Sequence, residues 1–418
     1  MQPPSQPLLL AVVSAAAAAL YFYQRRRRRA LGISSLDLIG RTPLVRLHSL
    51  SAATGCEILA KAEYLNPGGS SKDRIALAIV REAETSGALL PGGTLVEATA
   101  GSTGVSLALV ARACGYRCLL VAADDASPEK LRLIRALGAT LEVVKPAAIA
   151  NPDAKENVAK RRAAELGAGS ICCDQFENLA NMRAHGAAGT GREIWEQTRG
   201  RVDAFVMGAG TGGTLAGVST FLKSRKPSVR AYLADPPGSA LHHRVAHGVL
   251  YAPEQQERTA RRHRYDTIME GVGCDRVTAN FASASLDGSF QVRDDESVAM
   301  ARHLLDAEGL FVGGSSGMNC VAAVRAAREL GPGHTVVTVL CDGGQRYLNS
   351  VHALAEPEAA AEREDNTAVD TQSTGPSHTQ GPPSMSQASK PVSAGAGQGQ
   401  EEASDSAEER LSRLLGVP

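Results

Sequence analysis

The sequence predicts an α/β protein built as two doubly wound parallel-sheet lobes with a cleft between them. An N-terminal hydrophobic anchor and a disordered C-terminal tail flank this module. Three observations predict it. Apolar runs of strand length alternate with helical patterns through the middle of the chain. That middle, 31–355, is too long for one doubly wound sheet. The two ends differ from it in charge and composition.

The whole chain balances 44 Lys+Arg against 44 Asp+Glu over 418 residues, of which 43% are hydrophobic. This is a globular composition. It excludes a collagen, a coiled-coil array or a polytopic membrane protein, and it offers no positive excess for nucleic acid. The neutrality is a sum of unlike parts. Residues 1–30 hold five arginines and no acid, whereas 356–418 hold 11 acids and four bases.

At the N-terminus, Leu8–Tyr23 is apolar apart from Ser14, and Arg25 to Arg29 follow directly. A secretory signal places its charge before the apolar run, so cleavage is not expected. The order fits a short signal anchor with its arginines held on the cytosolic side, best matched to the mitochondrial outer membrane. A matrix presequence is the rival reading. Beyond Glu356 the chain is rich in Ala, Ser, Gln, Gly and Pro, a composition that cannot bury enough apolar surface to order itself.

Within the module the expected strands are Thr94–Ala98, Cys118–Ala123, Thr140–Val144, Ala204–Met207, Ala231–Ala234 and Thr335–Cys341. The expected helices are Ser71–Ser86, Val105–Ala113, Pro128–Leu137, Leu215–Leu222, Asp295–Glu308 and Met318–Leu330. Ser127 is the expected N-cap of the third, with Pro128 at its first position. The eight cysteines form no C-x-x-C pair, and His242, His243 and His247 have no acid or cysteine at ligand spacing, so no metal site is expected. The scattered thiols suit a reducing compartment.

Four loops at strand ends carry the chemistry. Gly208 to Thr214 is a glycine- and threonine-rich turn before a helix, where backbone N–H groups and the helix dipole favour an anion such as phosphate. Gly208, Gly210 and Gly213 also satisfy G-x-G-x-x-G, with Asp235 placed where a dinucleotide-binding protein contacts ribose. Both readings are open on these residues alone. Thr99-Ala100-Gly101-Ser102-Thr103-Gly104 is a second nest of N–H groups, suited to a carboxylate. Gly313–Gly317 is a third, which a serine N-cap also explains. The fourth, Asn66-Pro67-Gly68-Gly69-Ser70-Ser71-Lys72-Asp73-Arg74, sets one of only nine lysines at a helix start. A helix N-terminus disfavours a positive charge and so favours the free amine that forms an imine.

Together these loops resemble the pyridoxal-phosphate enzymes of the tryptophan-synthase-β family (fold type II), and within it cysteine synthase and cystathionine β-synthase. The resemblance covers about 35–350. Ile39 to Leu44 looks like the family's opening motif, and Asn66 to Arg74 like its N-P-x-x-S-x-K-D-R segment. Gln175-Phe176 and Gly189 to Trp195 are similar to further family motifs.

The resemblance implies that Lys72 holds pyridoxal 5'-phosphate and later acts as base. It implies that Gly210, Thr211, Gly212, Gly213 and Thr214 hold the phosphate, and that Ser102 and Ser315 contact the cofactor ring. It implies that Thr99, Ala100, Gly101, Thr103 and Gln175 bind the substrate carboxylate. The implied reaction is β-replacement, making L-cysteine from O-acetyl-L-serine and sulfide through an aminoacrylate. Cysteine desulfhydrase, a serine-type β-eliminase or cystathionine β-synthase-like activity are the alternatives, and a non-catalytic tethered scaffold is a third class. A homodimer and a mobile small lobe over about 76–185 are implied too. This reading displaces the dinucleotide one, which accounts for neither Lys72 nor Ser315. Two features depart from the family pattern: Ala100 and Ser102 replace serine and asparagine, and the ending Cys341 to Tyr347 differs from the bacterial form.

Overall fold

The computed structural model describes residues 34–252 and 267–353. The expected anchor (1–30) and acidic tail (356–418) lie outside the described residues. No helix among those described is long and apolar enough to cross a membrane.

Ten strands are found among the described residues: β1 (Leu44–Arg46), β2 (Glu57–Ala62), β3 (Thr94–Ala98), β4 (Arg117–Ala123), β5 (Thr140–Val144), β6 (Ile171–Cys172), β7 (Ala204–Gly208), β8 (Arg230–Asp235), β9 (Gly288–Gln291) and β10 (Thr335–Leu340). They form two sheets, in the orders β1-β2-β10-β7-β8-β9 and β5-β4-β3-β6. All pairings are parallel except β1 with β2, which runs antiparallel from Leu44↔Lys61 to Arg46↔Leu59. The expectation of parallel sheets is thus met, with one antiparallel edge strand added.

Alternation along each strand explains why both faces are covered. Ala204 and Val206 of β7 pack into one core, beside Met300, Leu304 and Val321 from the helices Asp294–Glu308 and Gly314–Leu330. Phe205 and Met207 point the other way, onto Leu215, Val218 and Leu222 of the helix Gly213–Arg225. The small sheet repeats the device. Leu95 and Leu120 meet Ile75, Ile79, Leu107 and Val110, whereas Val96 and Val121 meet Val158 and Ala159. Each of the larger buried side chains, Val, Leu, Ile, Phe or Met, is worth roughly 1.5–3 kcal/mol relative to exposure, so two-sided burial is what holds each sheet between its helices.

The helices start earlier than apolar periodicity implies: at Ser102, Gly213, Asp294 and Gly314 in place of Val105, Leu215, Asp295 and Met318. Small residues open three of the four, and they carry no apolar signal. Ser127 does occupy the N-cap, but its carbonyl makes the contacts, accepting from the N–H of Lys130 and Leu131. Its side chain makes no capping bond. All eight cysteines are free thiols. No group of three or more His, Cys, Asp or Glu suited to a metal occurs among the described residues. His242, His243 and His247 share the short helix Leu241–His247 with their rings against one another.

Candidate active site

The strand ends and helix starts of the two sheets meet around one cleft of about 690 Å³. Lys72 is the first residue of the helix Lys72–Ser86. Its Nζ lies 3.3 Å from Ser71 Oγ, and no carboxylate pairs with it among the described residues. The preceding loop is tied down at several points. Asn66 Oδ1 accepts from Gly40 N–H at 2.8 Å. Asp73 accepts from Gly68 N–H at 2.5 Å and from Ser106 at 2.5 Å. Ser71 N–H donates to the Cys341 carbonyl at 3.1 Å. A side chain on Gly68 would run into Asp73, so this turn accepts glycine alone.

Behind Lys72, a buried ion network welds the Asn66–Arg74 and Gly189–Trp195 motifs to β2 and the turn that follows it. Arg74 donates to both oxygens of Glu63 (2.8 Å each) and to both of Glu193 (2.7 and 2.8 Å). Lys61, fully buried, reaches Glu193 at 2.7 Å. Burial opposes ionisation of Glu193, but Arg74 and Lys61 outweigh it and hold that carboxyl at about 2. Lys61 sits mid-strand in β2, a charge that hides the strand from apolar patterning.

Gly208 to Thr214 turns from β7 into the helix Gly213–Arg225, whose first N–H groups have no intrahelical acceptor. Each glycine is required by a close neighbour. A Cβ on Gly210 would strike the Gly271 carbonyl, and one on Gly213 would strike Asn181. Gly212 has φ +81°, and a Cβ there would meet Phe281 Cα at 2.6 Å. The result is a side-chain-free cradle of backbone donors flanked by Thr211 and Thr214, which fits a phosphate.

A second layer supports this cradle. Asn181 Nδ2 donates to Thr211 Oγ1 at 2.9 Å, and Thr278 donates to the Thr211 carbonyl at 2.7 Å. His185 stands between Thr214 (3.1 Å) and Thr190 (2.8 Å). Burial, then the charges of Arg74 and Lys72, lower the His185 pKa well below the usual range and keep the ring neutral.

On the facing wall, Thr99 to Thr103 enters the helix Ser102–Cys114. Thr103 Oγ1 donates to Gln175 Oε1 at 2.6 Å, so these two residues share one anchor. Gln175 is held in turn by Glu97, which accepts from the N–H of Gln175 (3.1 Å) and Ala98 (2.9 Å). Burial pushes the Glu97 carboxyl up to about 7 against those two donors. Ser315, the second residue of the helix Gly314–Leu330, lies at the cleft wall beside Cys341.

The structure therefore brings together every residue that the pyridoxal-phosphate reading singled out except Gly213, which helps shape the loop from behind, against Asn181. Asp235, the dinucleotide candidate, is elsewhere. It is buried at the end of β8, accepts from His242 N–H at 2.7 Å, and does not line the cleft. Sequence reading missed Asn181, His185, Thr278 and Glu97. His185 had a signal, a lone histidine among small residues just before the Gly189–Trp195 motif. The two supporting amide and hydroxyl groups had none.

A protein-family description, "Pyridoxal-phosphate dependent enzyme", matches residues 36–342. "Cysteine synthase 2" of Schizosaccharomyces pombe is 49% identical over 325 residues, spanning 75% of this chain and 82% of that protein. "Cysteine synthase" of Dictyostelium discoideum is 47% identical, spanning 77% and 85%. Among solved structures, the O-acetylserine dependent cystathionine beta-synthase from Helicobacter pylori superposes with a TM-score of 0.67 at 32% identity, over 77% of this chain and 98% of that one. The cradle, and a lysine with no carboxylate partner among the described residues in the same cleft, fit the cofactor that this family description names. The chain belongs to the pyridoxal-phosphate-dependent enzymes, in the family that includes the cysteine synthases.

Proposed function

We propose that this chain catalyses β-replacement on an amino acid, making L-cysteine from O-acetyl-L-serine and sulfide. One observation carries the reading. The Lys72 amine, without a carboxylate partner among the described residues, shares a single cleft with an anion cradle and an anchored carboxylate nest. The similarity to proteins named cysteine synthase supports the choice of substrates.

The bound cofactor supplies an electron sink that lets a Cα proton and a Cβ leaving group depart. The chain does the rest. Lys72 is the residue that would hold the cofactor, and its freed amine takes the Cα proton. The N–H groups of Gly210 to Thr214, with the hydroxyls of Thr211 and Thr214, would bind the phosphate. Ser315 offers a neutral hydroxyl to the ring, and Ser102 lies on the opposite loop. Thr99 to Thr103 and Gln175 grip the substrate carboxylate, and that grip would draw the small lobe, about 76–185, onto the large one. Neutral His185 supports Thr214 without adding a charge behind the cradle.

The finer proposals follow from the ends. A tether through 1–30 is supported by its apolar run and arginines. A mitochondrial address is supported by a Saccharomyces cerevisiae relative, 47% identical, provisionally named a mitochondrial cysteine synthase. A homodimer is proposed on the family likeness.

The test is direct. Purified protein given pyridoxal phosphate should show a visible absorbance band, absent in Lys72→Ala. It should form L-cysteine from O-acetylserine and sulfide. Turnover of serine or cysteine with no reaction of O-acetylserine would instead select a β-eliminase or cystathionine β-synthase-like activity. A band unchanged by Lys72→Ala would sink the enzyme reading.

A further inference from the structure

The segment after β10 is the departure from family pattern that the proposed chemistry leaves unused. In the fold it is a hub. The Cys341 carbonyl accepts from Ser71 N–H beside Lys72, at 3.1 Å. Cys341 N–H donates to Ser316 Oγ at 2.9 Å. Tyr347 OH donates to Asp342 Oδ2 at 2.6 Å, with both residues buried. Between these anchors lies Arg346, closing the short turn Gly344–Arg346. Its Nη1 donates to Ser102 Oγ at 2.8 Å, across 244 positions of sequence. Its Nη2 donates to the Gly68 carbonyl in the loop before Lys72.

We propose that Arg346 is a positioning residue that fixes the Ser102 hydroxyl as a hydrogen-bond donor into the cleft, aimed at an acceptor oxygen of the bound cofactor. The inference rests on the proposed reading of the cleft as a pyridoxal-phosphate site. A guanidinium has donors only, so Ser102 Oγ must accept from it. The hydroxyl proton is then directed away from Arg346, and Ser102 lines the cleft. Accepting from a cation also polarises that hydroxyl and makes it a better donor. Pyridoxal phosphate carries a phenolic oxygen on the ring carbon beside the one that bears its aldehyde carbon, the carbon a lysine holds, and that oxygen is an acceptor of the required kind. The short serine thus gains by polarisation and fixed orientation what its length does not supply. Gly69 makes room for the arrangement, because a Cβ there would come within 3.2 Å of Arg346 Nη2.

Burial raises the pKa of two acids, Asp73 and Asp342, and the charge of Arg346 offsets part of that rise. Its removal therefore threatens folding, and Arg346→Lys, which keeps the charge but loses the fork, carries the test if Arg346→Ala does not fold. Apoprotein of the wild type, Ser102→Ala, Arg346→Ala, Arg346→Lys and the Ser102→Ala/Arg346→Ala double variant would be titrated with pyridoxal phosphate. The visible band of each loaded protein would then be followed from pH 5.5 to 9.5. Removing a charge-assisted bond should weaken cofactor binding about tenfold in Ser102→Ala and in Arg346→Ala. Both should move the midpoint of the band's titration in the same direction. Arg346→Lys should lose about fivefold or more, because a single ammonium does not reproduce the forked contact. The double variant should be within about twofold of Ser102→Ala, as expected when one residue acts through the other.

Multiplying losses in the double variant would overturn the inference, as would wild-type binding by both Arg346 variants. Ser102→Ala indistinguishable from wild type would overturn it by removing Ser102 from the cofactor. Wild-type protein that binds no pyridoxal phosphate at all would refute the cofactor reading itself, a separate result.

Discussion

Glu193→Gln tests the ion network behind Lys72. The Glu193 carboxyl sits at about 2 against an ordinary 4.5. At about 1.4 kcal/mol per tenfold change, the charged form carries about 3 kcal/mol of stability. The side chain is 18% exposed, so solvent screens little of this. The folded value lies below the unfolded one. The contribution is therefore complete above pH 4.5 and drains away as pH falls toward 2. Glutamine does not titrate, so the stability gap between wild type and variant should follow that curve. Urea unfolding of the two apoproteins should show a gap of about 3 kcal/mol at pH 7 and pH 5.5, and about 2 kcal/mol at pH 3.5. A gap below about 1 kcal/mol at pH 7, or one unchanged between pH 7 and 3.5, would refute the argument that Arg74 and Lys61 set the state of Glu193.

Three further outcomes are expected. Gly212→Ala puts a methyl against Phe281 at a left-handed φ, costing about 1–3 kcal/mol of cradle geometry; equilibrium dialysis should show pyridoxal phosphate binding weakened between about fivefold and a hundredfold. Glu97→Gln removes an acid whose folded pKa of about 7 is raised by burial. A raised acid loses stability as pH climbs from its unfolded value, so from pH 4.5 to 7 the variant should gain on wild type by up to about 3 kcal/mol in urea melts. Lys72→Ala should slow cysteine formation by about 10²–10⁴-fold or more in a steady-state assay, the usual loss for an acid–base group, while the thermal midpoint of the apoprotein stays put.

The fold was legible where burial was two-sided. The strands β3, β4, β7, β8 and β10 are nearly continuous apolar runs, because helices cover both faces, whereas β5 is a half-exposed edge legible from Leu141, Val143 and Val144. The strands that sequence reading passed over are short, polar or charged. Three-residue β1 and two-residue β6 are too brief for any period, and Gly288–Gln291 is an edge. Lys61 breaks β2, and its partner Glu193 lies 132 positions away, a pairing no local pattern announces. The loops of the candidate site were legible because cradling an anion demands small residues in a row. The residues that brace those loops were not. Asn181 and Thr278 act through single hydrogen bonds to Thr211, and an isolated polar side chain has no periodicity. Arg346 belongs with them, since its contact with Ser102 exists only after both sheets have formed.

Strand β10 fills the gap between β2 and β7 in the larger sheet, pairing Thr335–Leu340 with Glu57–Ala62 on one side and with Ala204 and Phe205 on the other. During synthesis the smaller sheet, complete by residue 172, is able to close early from near neighbours. The larger one waits with two unpaired apolar strand edges until residue 340 has emerged. Non-local closure of this kind is slow, and open edges invite pairing with other chains. A chain truncated between the end of the smaller lobe and β10 is thus expected to be an aggregation hazard carrying an intact smaller lobe, which makes the last strand the step that commits the protein to its folded state.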